Sequence, residues 1–351
     1  MFSFLIKKIL NSFGVLLGVV SIVFFLFFVI LPADPARLTM GQRSDAQTLE
    51  NTRKELNLDK PVAQQFLLYL NDLSPISIHP SYDSIQQKYH YQPLISFSDK
   101  ALVIKKPYLR RSYQTKKEVS EMLADGFPGT FILATLSILI ASILGIILGI
   151  LAAVKQNTWV DTTTLFASVL GISAPSFFAG ILIAYVFGFL LSDLTHLSII
   201  SPMWDFDPYE GKRLVLKSLI LPVATLSIRP LAIIMQITRS AMLDVLKQDY
   251  IRTALSKGLS QKAILYKHAL RNALNPVITS ISGWFAELLA GSFFIEYIFG
   301  WKGIGKITVD ALNKFDFPVV MGAVLFTAVL FILVNILVDI LYTIIDPRIK
   351  K

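Results

Sequence analysis

The chain has 351 residues, a formal net charge of +9 and no cysteine, which excludes disulfides, thiolate catalysis and cysteine-ligated metals. Apolar residues make up 54% of the sequence and charged residues 16%, against about 25% charged residues in soluble domains. Continuous apolar runs of about 20 residues need a bilayer to bury them, so the composition predicts a polytopic membrane protein. The basic residues fall mostly in loops beside apolar runs, so membrane orientation explains the positive charge more simply than nucleic-acid binding.

The first apolar run, at residues 9–31, follows Lys7 and Lys8. It is longer than the apolar part of a signal peptide, about 7–15 residues, and it lacks a small-x-small cleavage site. We therefore expect residues 1–31 to form a retained N-terminal transmembrane helix whose N-terminus lies inside.

A polar segment follows at residues 32–128, and we expect it to be extracytoplasmic. Leu49, Leu56 and a charged face predict an exposed helix over residues 50–61. Residues 75–106 are rich in proline and aromatic residues and alternate in polarity, which predicts short strands at 94–98 and 101–104. They form an insertion that either touches a partner or is a solvated decoration without function; the sequence leaves both interpretations open.

Residues 129–345 hold five further apolar runs, so the predicted fold class is an all-α polytopic membrane protein with six transmembrane helices. The runs lie at 129–154, 162–191, 218–238, 276–299 and 319–345. Gly145 and Gly149 form a small-xxx-small pair that allows another helix to approach closely, and Pro175 predicts a kink in the third span. Trp204 and Tyr209, in the outer loop 192–217, suit an interfacial aromatic belt. Residues 346–351 form a cytoplasmic tail.

Four charged residues lie inside predicted spans: Arg229, Glu287, Asp339, and Glu296 near the outer end of the fifth span. A charge there is costly and usually faces protein or water. Arg229 is either a pathway or gate residue, or it forms an ion pair or extends to the cytoplasmic interface. The sequence does not assign the roles of Glu287 and Asp339.

The most basic short loop lies between the fourth and fifth spans; we call residues 239–276 the basic segment. Its apolar residues recur every three to four positions, which predicts one helix with one apolar stripe: Leu243, Leu246, Tyr250 and Ala254. Gly258 can take the left-handed turn that ends a helix, and Ser260 can cap the next one. Seven lysines and arginines place the segment in the cytoplasm. A basic amphipathic loop lying on the bilayer surface is the alternative.

The basic segment resembles the EAA loop of bacterial ABC importer permeases, in its dipeptide/oligopeptide variant. Gly258 takes the place of the motif's glycine, Ala254 and Thr253 those of its alanines, and Arg252 that of its glutamate. Other family-like motifs follow one another in the expected order, and only residues 75–106 fall outside the resemblance. These motifs lie at residues 31–36, 108–121, 171–178, 298–305, 310–320 and 346–348.

The resemblance implies a type I ABC importer permease in the bacterial inner membrane, with both termini in the cytoplasm. Its implied partners are a second homologous permease, two ATP-binding cassette ATPases, an extracytoplasmic solute-binding protein and membrane lipid. The resemblance also implies that the ATPase is contacted through Tyr250, Arg252, Thr253, Ala254, Gly258 and Leu259. The solute is a peptide or, within the same family, nickel, a glycoside or an antibiotic-like peptide.

The orientation is supported by a count of lysines and arginines in the short loops. Thirteen lie in loops assigned to the inside and six in loops assigned to the outside. An ion-driven secondary transporter is the alternative from another class, and it would predict buried carboxylates or inverted repeats at the bilayer midplane.

Two motifs suggest enzymatic chemistry but lack essential parts. Residues 300–306 have the G-x4-G-K spacing of a phosphate-binding loop, but Ile307 stands where a Mg²⁺-binding hydroxyl is required. Ser173 lies in a span without a histidine base at that depth. We therefore expect no catalytic residue, no metal site, no cofactor and no nucleotide bound by this chain alone.

Overall fold

The computed structural model describes residues 2–30, 47, 50, 53–54, 57–80, 83–97, 100–200, 204–207 and 211–345. The motif at 31–36, Leu49, Leu56, Tyr209 and the tail 346–351 lie outside these residues. The described chain is mostly helical. Its α-helices are α1 (Phe2–Phe25), α2 (Val62–Leu73), α3 (Asp83–Tyr89), α4 (Val119–Val154), α5 (Trp159–Ser173), α6 (Ser176–Tyr185), α7 (Ser192–Thr195), α8 (Ile220–Leu246), α9 (Asp249–Ser256), α10 (Gln261–Ala263), α11 (Leu270–Gly291), α12 (Phe293–Ile298), α13 (Ile304–Asn313) and α14 (Phe317–Ile345).

Shorter elements complete the described structure. The strands are β1 (Ile76–Pro80), β2 (Gln92–Ser96), β3 (Lys100–Ile104), β4 (Trp204–Asp207) and β5 (Gly211–Leu214). π-helical turns lie at Leu26–Ile30, Val186–Leu190 and Ile264–Ala269, and a 3-10 turn at Leu216–Leu219. Strands β4 and β5 form an antiparallel hairpin inside the segment predicted as a plain outer loop.

Four described helical segments are long and apolar enough to cross a membrane: Ile6–Ile30, Val119–Val154, Leu216–Leu246 and Phe317–Ile340. They correspond to the first, second, fourth and sixth predicted spans. Helices α5 and α6, with the π-turn after α6, raise the number to five if they are counted as one broken span. The predicted fifth span does not meet this test, because α11 carries several polar residues and the helix breaks at Ser292 before α12.

The predicted kink at Pro175 is confirmed in position and is larger than expected, because α5 and α6 are bent by 104°. A proline disfavours the helical conformation of the residue before it. Ala174, which precedes Pro175, is accordingly extended, with φ −73° and ψ 127°. Helix α4 begins at Val119, ahead of the predicted second span at 129–154, and continues through that span as one 36-residue helix. Val119 and Leu123 are fully buried in its first turns.

The described chain forms two compact units. The first comprises residues 1–125 and 307–329. It contains an antiparallel sheet in the order β1-β3-β2, with α3 between β1 and β2 along the chain. Strands β2 and β3 confirm the predicted strands of the insertion. The helix predicted at 50–61 is confirmed at Glu50, Arg53 and Lys54, whereas residues 57–60 form a turn and α2 was not predicted.

The second unit comprises residues 126–306 and 330–351 and contains most of the membrane-spanning helices. The predicted close approach at the small-xxx-small pair is confirmed. A Cβ at Gly149 would lie 2.6 Å from the Thr238 Cβ, and one at Gly145 would lie 2.9 Å from the Ile234 Cγ2. Both contacts are with α8, so these glycines let α4 and α8 pack backbone to backbone.

Candidate functional site

The basic segment forms a short helix, a glycine turn and a second helical stretch. Helix α9 ends at Ser256, and Gly258 follows with φ +78°. The Gly258 amide donates to the Leu255 carbonyl at 2.9 Å, and the Leu259 amide to the Ala254 carbonyl at 3.3 Å. This pair of hydrogen bonds is a Schellman motif, which needs a left-handed residue at the glycine position. The predicted left-handed turn at Gly258 is confirmed.

The predicted cap at Ser260 is also confirmed. Ser260 has extended backbone angles, and its hydroxyl accepts a hydrogen bond from the Ala263 amide at 3.3 Å. Helix α10 therefore begins at Gln261 and continues through the π-turn into α11. One prediction about this segment was wrong: the apolar stripe does not belong to one helix. Helix α8 ends at Leu246 and α9 begins at Asp249, because Gln248 between them is extended, with ψ 149°.

A small apolar core holds α9 against the helices around it. Ile251 and Ala254 are 2% and 7% exposed, and they pack with residues from α4, α8, the π-turn and α11. These neighbours are Ile150, Ala153, Met242, Ile264, Ala269 and Ala273. Ala254, predicted to contact an ATPase, therefore lies beneath the surface and supports α9 from inside.

The opposite side of the segment is exposed and combines apolar and basic side chains. Tyr250, Leu255, Leu259 and Tyr266 are 41%, 53%, 40% and 63% exposed. Arg252, Thr253 and Gly258 are exposed as well. The Tyr250 hydroxyl accepts a hydrogen bond from the Asn272 amide group at 2.8 Å, which links α9 to the start of α11. Five of the six predicted contact residues are thus exposed to solvent, and the sixth, Ala254, is buried.

A buried ion pair, not predicted from the sequence, joins the start of α5 to α8. The Arg239 Nε lies 2.5 Å from Asp161 Oδ1, and its Nη2 lies 2.7 Å from Asp161 Oδ2. Asp161 also accepts a hydrogen bond from the Asn157 amide at 3.0 Å. Arg239 is therefore a helix residue with a paired charge, rather than a free charge of the basic segment. The sequence signal was weak: one aspartate in the first turn of a helix, 78 residues before its partner.

The glycine-rich loop at residues 300–306 surrounds a carboxylate of its own chain. Glu296 is fully buried and accepts hydrogen bonds from the Thr130 and Ser292 hydroxyls, each at 2.8 Å, and from the Lys306 amide at 3.2 Å. A Cβ on Gly303 or Gly305 would collide with this carboxylate. The Lys306 amide therefore faces Glu296 and the Ile304 amide faces Thr130, which supports the interpretation that the G-x4-G-K spacing is a chance match.

Two family-like motifs about 200 residues apart meet within the first unit. Asp316 is 3% exposed. Its carboxylate accepts hydrogen bonds from the Ser112 hydroxyl at 2.5 Å and from the Tyr113 amide at 2.8 Å. The Asp316 carbonyl accepts from the Val319 and Val320 amides in the first turn of α14. Asp316 thus ties the segment before α4 to the start of α14.

Comparison with known proteins identifies the family. Residues 145–351 match the model of the binding-protein-dependent transport system inner membrane component, and residues 1–134 match the model of the N-terminal part of such membrane components. The chain belongs to this family. It is accordingly an integral inner-membrane protein and a permease subunit of a transport system with further subunits, and it is not an enzyme.

Several relatives cover the whole permease. A Brucella abortus (strain 2308) protein assigned to a peptide transport system is 37% identical over 352 residues, covering 100% of this chain and 99% of its own length. The dipeptide transport system permease DppB of Bacillus subtilis (strain 168) is 36% identical, covering 99% and 97%. The glutathione transport system permease GsiC of Escherichia coli (strain K12) is 34% identical, covering 100% and 99%. A crystal structure of an amino acid ABC transporter with histidines has a TM-score of 0.48 and 14% identity, covering 63% of this permease and 93% of that chain.

Proposed function

We propose that this permease forms half of the translocation pathway of an ATP-driven peptide importer. The other half is a second homologous permease, two ATPase subunits supply the energy, and an extracytoplasmic protein delivers the solute. The observation that carries the proposal is the exposed, partly apolar surface of the basic segment. A buried apolar core supports this surface, so it can bind in a cleft of an ATPase. The full-length relatives assigned to peptide, dipeptide and glutathione transport support a peptide as the solute class.

The coupling role belongs to Tyr250, Arg252, Thr253, Gly258 and Leu259, with Ala254 as the buried support. Leu255 and Tyr266 add exposed apolar area to the same surface. Burial of apolar area supplies most of the free energy of such a contact. The basic residues favour an acidic rim on the ATPase.

In the proposed topology the chain crosses the membrane six times, with both termini in the cytoplasm and residues 32–128 outside. The fifth span is α11, whose 22 residues can cross the apolar core of a bilayer when they continue into α12. Its polar residues fit a helix that faces a water-filled path rather than lipid.

The experiment is co-expression with the candidate ATPase and second permease, purification in mild detergent, reconstitution into vesicles and addition of the candidate solute-binding protein. We expect the subunits to co-purify stably. We also expect uptake of a labelled dipeptide that requires ATP on the side of the membrane that carries the ATPase subunits. Uptake that proceeds without ATP and follows an imposed ion gradient would contradict the proposal.

A further inference from the structure

A cavity of about 260 Å³ lies within the second unit, at the break between α5 and α6 and beside α8, α11 and α12. An adjoining open groove shares Trp284 and Glu287 with it. Small-molecule sites occupy about 300–1,000 Å³, so the two together can hold a short peptide. Most of the wall is apolar, and its polar side chains are Ser176, Thr225, Arg229, Glu287 and Ser292. Asp339 lines neither the cavity nor the groove.

The charged residues of this wall come from facing stripes of two helices that pack together. Thr225 and Arg229, four residues apart, lie on one face of α8. Trp284, Glu287 and Gly291 recur at spacings of three and four on α11. The packing of α8 on α11 therefore brings an arginine and a glutamate to one cavity.

Both charges lack a counter-charge among the described residues. In the part of the chain that the structure describes, neither Arg229 nor Glu287 forms an ion pair or a side-chain hydrogen bond. The Arg229 guanidinium carbon lies 5.7 Å from the centroid of the Trp284 ring, a cation–π contact that holds the side chain against the wall. This contact leaves the N–H donors of the guanidinium available for a ligand. Both carboxylate oxygens of Glu287 are available as acceptors.

Unpaired charges at membrane depth are costly and mark paths for polar solutes. A cavity that presents a cation and an anion separately matches a solute carrying both charges at its ends. The N-terminus of α6 adds to the cationic side, since Ser176 in its first turn lines the same cavity and Pro175 provides no side-chain cap. The dipole of that helix favours a carboxylate there.

We propose that this cavity binds the two charged ends of a peptide in transit. Arg229 binds the terminal carboxylate, Glu287 binds the terminal ammonium group, and the apolar wall around Trp284 accommodates the side chains. Recognition by the ends alone leaves side-chain identity largely unread, which suits a carrier of varied peptides. The inference rests on the proposed function, because it assumes that a peptide enters this permease.

The test uses the reconstituted complex in lipid nanodiscs without the solute-binding protein. The probes are alanyl-alanine, its N-acetyl derivative and its C-terminal amide, and binding is followed by tryptophan fluorescence. Trp284→Phe serves to show that the signal comes from this cavity. We expect the wild type to prefer the free dipeptide over each blocked form by about tenfold or more, equivalent to about 1.4 kcal/mol.

The variants assign each end to one residue. Arg229→Gln is expected to abolish the preference for the free carboxylate and keep the preference for the free amine, and Glu287→Gln is expected to do the reverse. Arg229→Lys keeps the positive charge and should retain part of the carboxylate preference. Asp339→Asn, which removes a charge from a membrane helix outside both the cavity and the groove, should leave both preferences intact.

Two outcomes would overturn the inference while the proposed function stands, given ATP-dependent dipeptide uptake by the wild type. They are equal binding of all three probes by the wild type, and unchanged preferences in both charge variants, with or without loss of transport. Absence of ATP-dependent uptake in the wild type would instead count against the proposed function itself.

Discussion

Gly258 is the residue at which backbone conformation and proposed function meet. Its φ of +78° is left-handed, and a Cβ placed there would meet no atom within 4 Å. A substitution at this position therefore acts through backbone strain and not through a steric clash. The strain would reorient the helical stretch after Ser260, while the membrane-spanning helices stay folded.

We expect Gly258→Val to cost at least about 1–2 kcal/mol of local strain. Expression and docking of the solute-binding protein should stay nearly intact, whereas ATPase affinity, or transport per ATP hydrolysed, should fall about tenfold for each 1.4 kcal/mol of docking energy lost. Pull-down and coupled transport assays measure both quantities. Gly258→Asn is the matched control, because asparagine tolerates the left-handed region.

Arg252→Ala and Tyr250→Ala should act in the same direction but more weakly. Normal assembly and transport by Gly258→Val would remove the basic segment from the coupling role.

His79 is a second residue whose surroundings determine a measurable property. It is 4% exposed on β1, and its ring stacks on Tyr89 at 4.2 Å between centroids. Burial, and next the charge of Lys105, lower the pKa of His79 from 6.5 to about 4. The unfolded chain therefore takes up a proton at a higher pH than the folded chain does.

We expect the fold of residues 76–104 to keep its full stability above about pH 6.5 and to lose it progressively as the pH falls towards 4. The loss is at most about 1.4 kcal/mol per pH unit. Hydrogen exchange of these residues, corrected for the intrinsic pH dependence, measures the change. His79→Phe keeps an aromatic ring for stacking and cannot titrate, so its protection should stay flat from pH 7 to pH 4. An equal decline in both proteins would show that another group is responsible.

At the scale of elements, the chain enters and leaves the sheet β1-β3-β2 at two points that lie close together. Ile76 pairs with Ile104 in the sheet, and the Lys105 amide donates to the Pro75 carbonyl at 2.9 Å. The Lys105 ammonium also donates to the Asp72 carbonyl at the end of α2. The two Lys105 contacts lie outside the strands, so they hold the chain on either side together independently of the strands.

Replacement of residues 76–104 by a short Gly/Ser linker should leave membrane insertion and ATPase co-purification unchanged. If the sheet modulates docking of the solute-binding protein, as we expect, the affinity of that protein for the complex will fall, and surface-based binding measurements will detect it. Loss of membrane insertion would show that the sheet is required for folding. Unchanged affinity and uptake would mean that the sheet is a decoration without a role in docking.

At the scale of the whole molecule, the proposed topology places the two sides of the chain in different compartments. The absence of cysteine makes single-cysteine labelling free of background. Lys117 and Lys262 are both exposed, on the segment before α4 and in the basic segment respectively. An impermeant thiol reagent on intact cells, with any outer membrane permeabilised, should label Lys117→Cys and spare Lys262→Cys. Cell lysis should make both accessible, and the reverse pattern in intact cells would overturn the topology.

The features that the sequence determined by itself depend on a few neighbouring residues. Long apolar runs specify membrane helices because no other solvent can bury them. Gly258 and Ser260 specify a turn and a cap through backbone angles and one short hydrogen bond, and Pro175 specifies a break through local sterics. The turn at Gly258, the cap at Ser260 and the break at Pro175 are confirmed, since none of them depends on which helix packs beside the residue.

Tertiary structure alone decided the features that join distant residues. Asp161 pairs with Arg239 across 78 positions, and Asp316 meets Ser112 across 204. A carboxylate can accept hydrogen bonds from many donors, so residue type does not identify its partner; helix packing does. The same packing buried Ala254, surrounded Glu296 with hydrogen-bond donors, and placed Arg229 and Glu287 in one cavity without pairing them. The charges of Arg229 and Glu287 were visible in the sequence. The cavity that surrounds them exists only once α8 and α11 lie side by side.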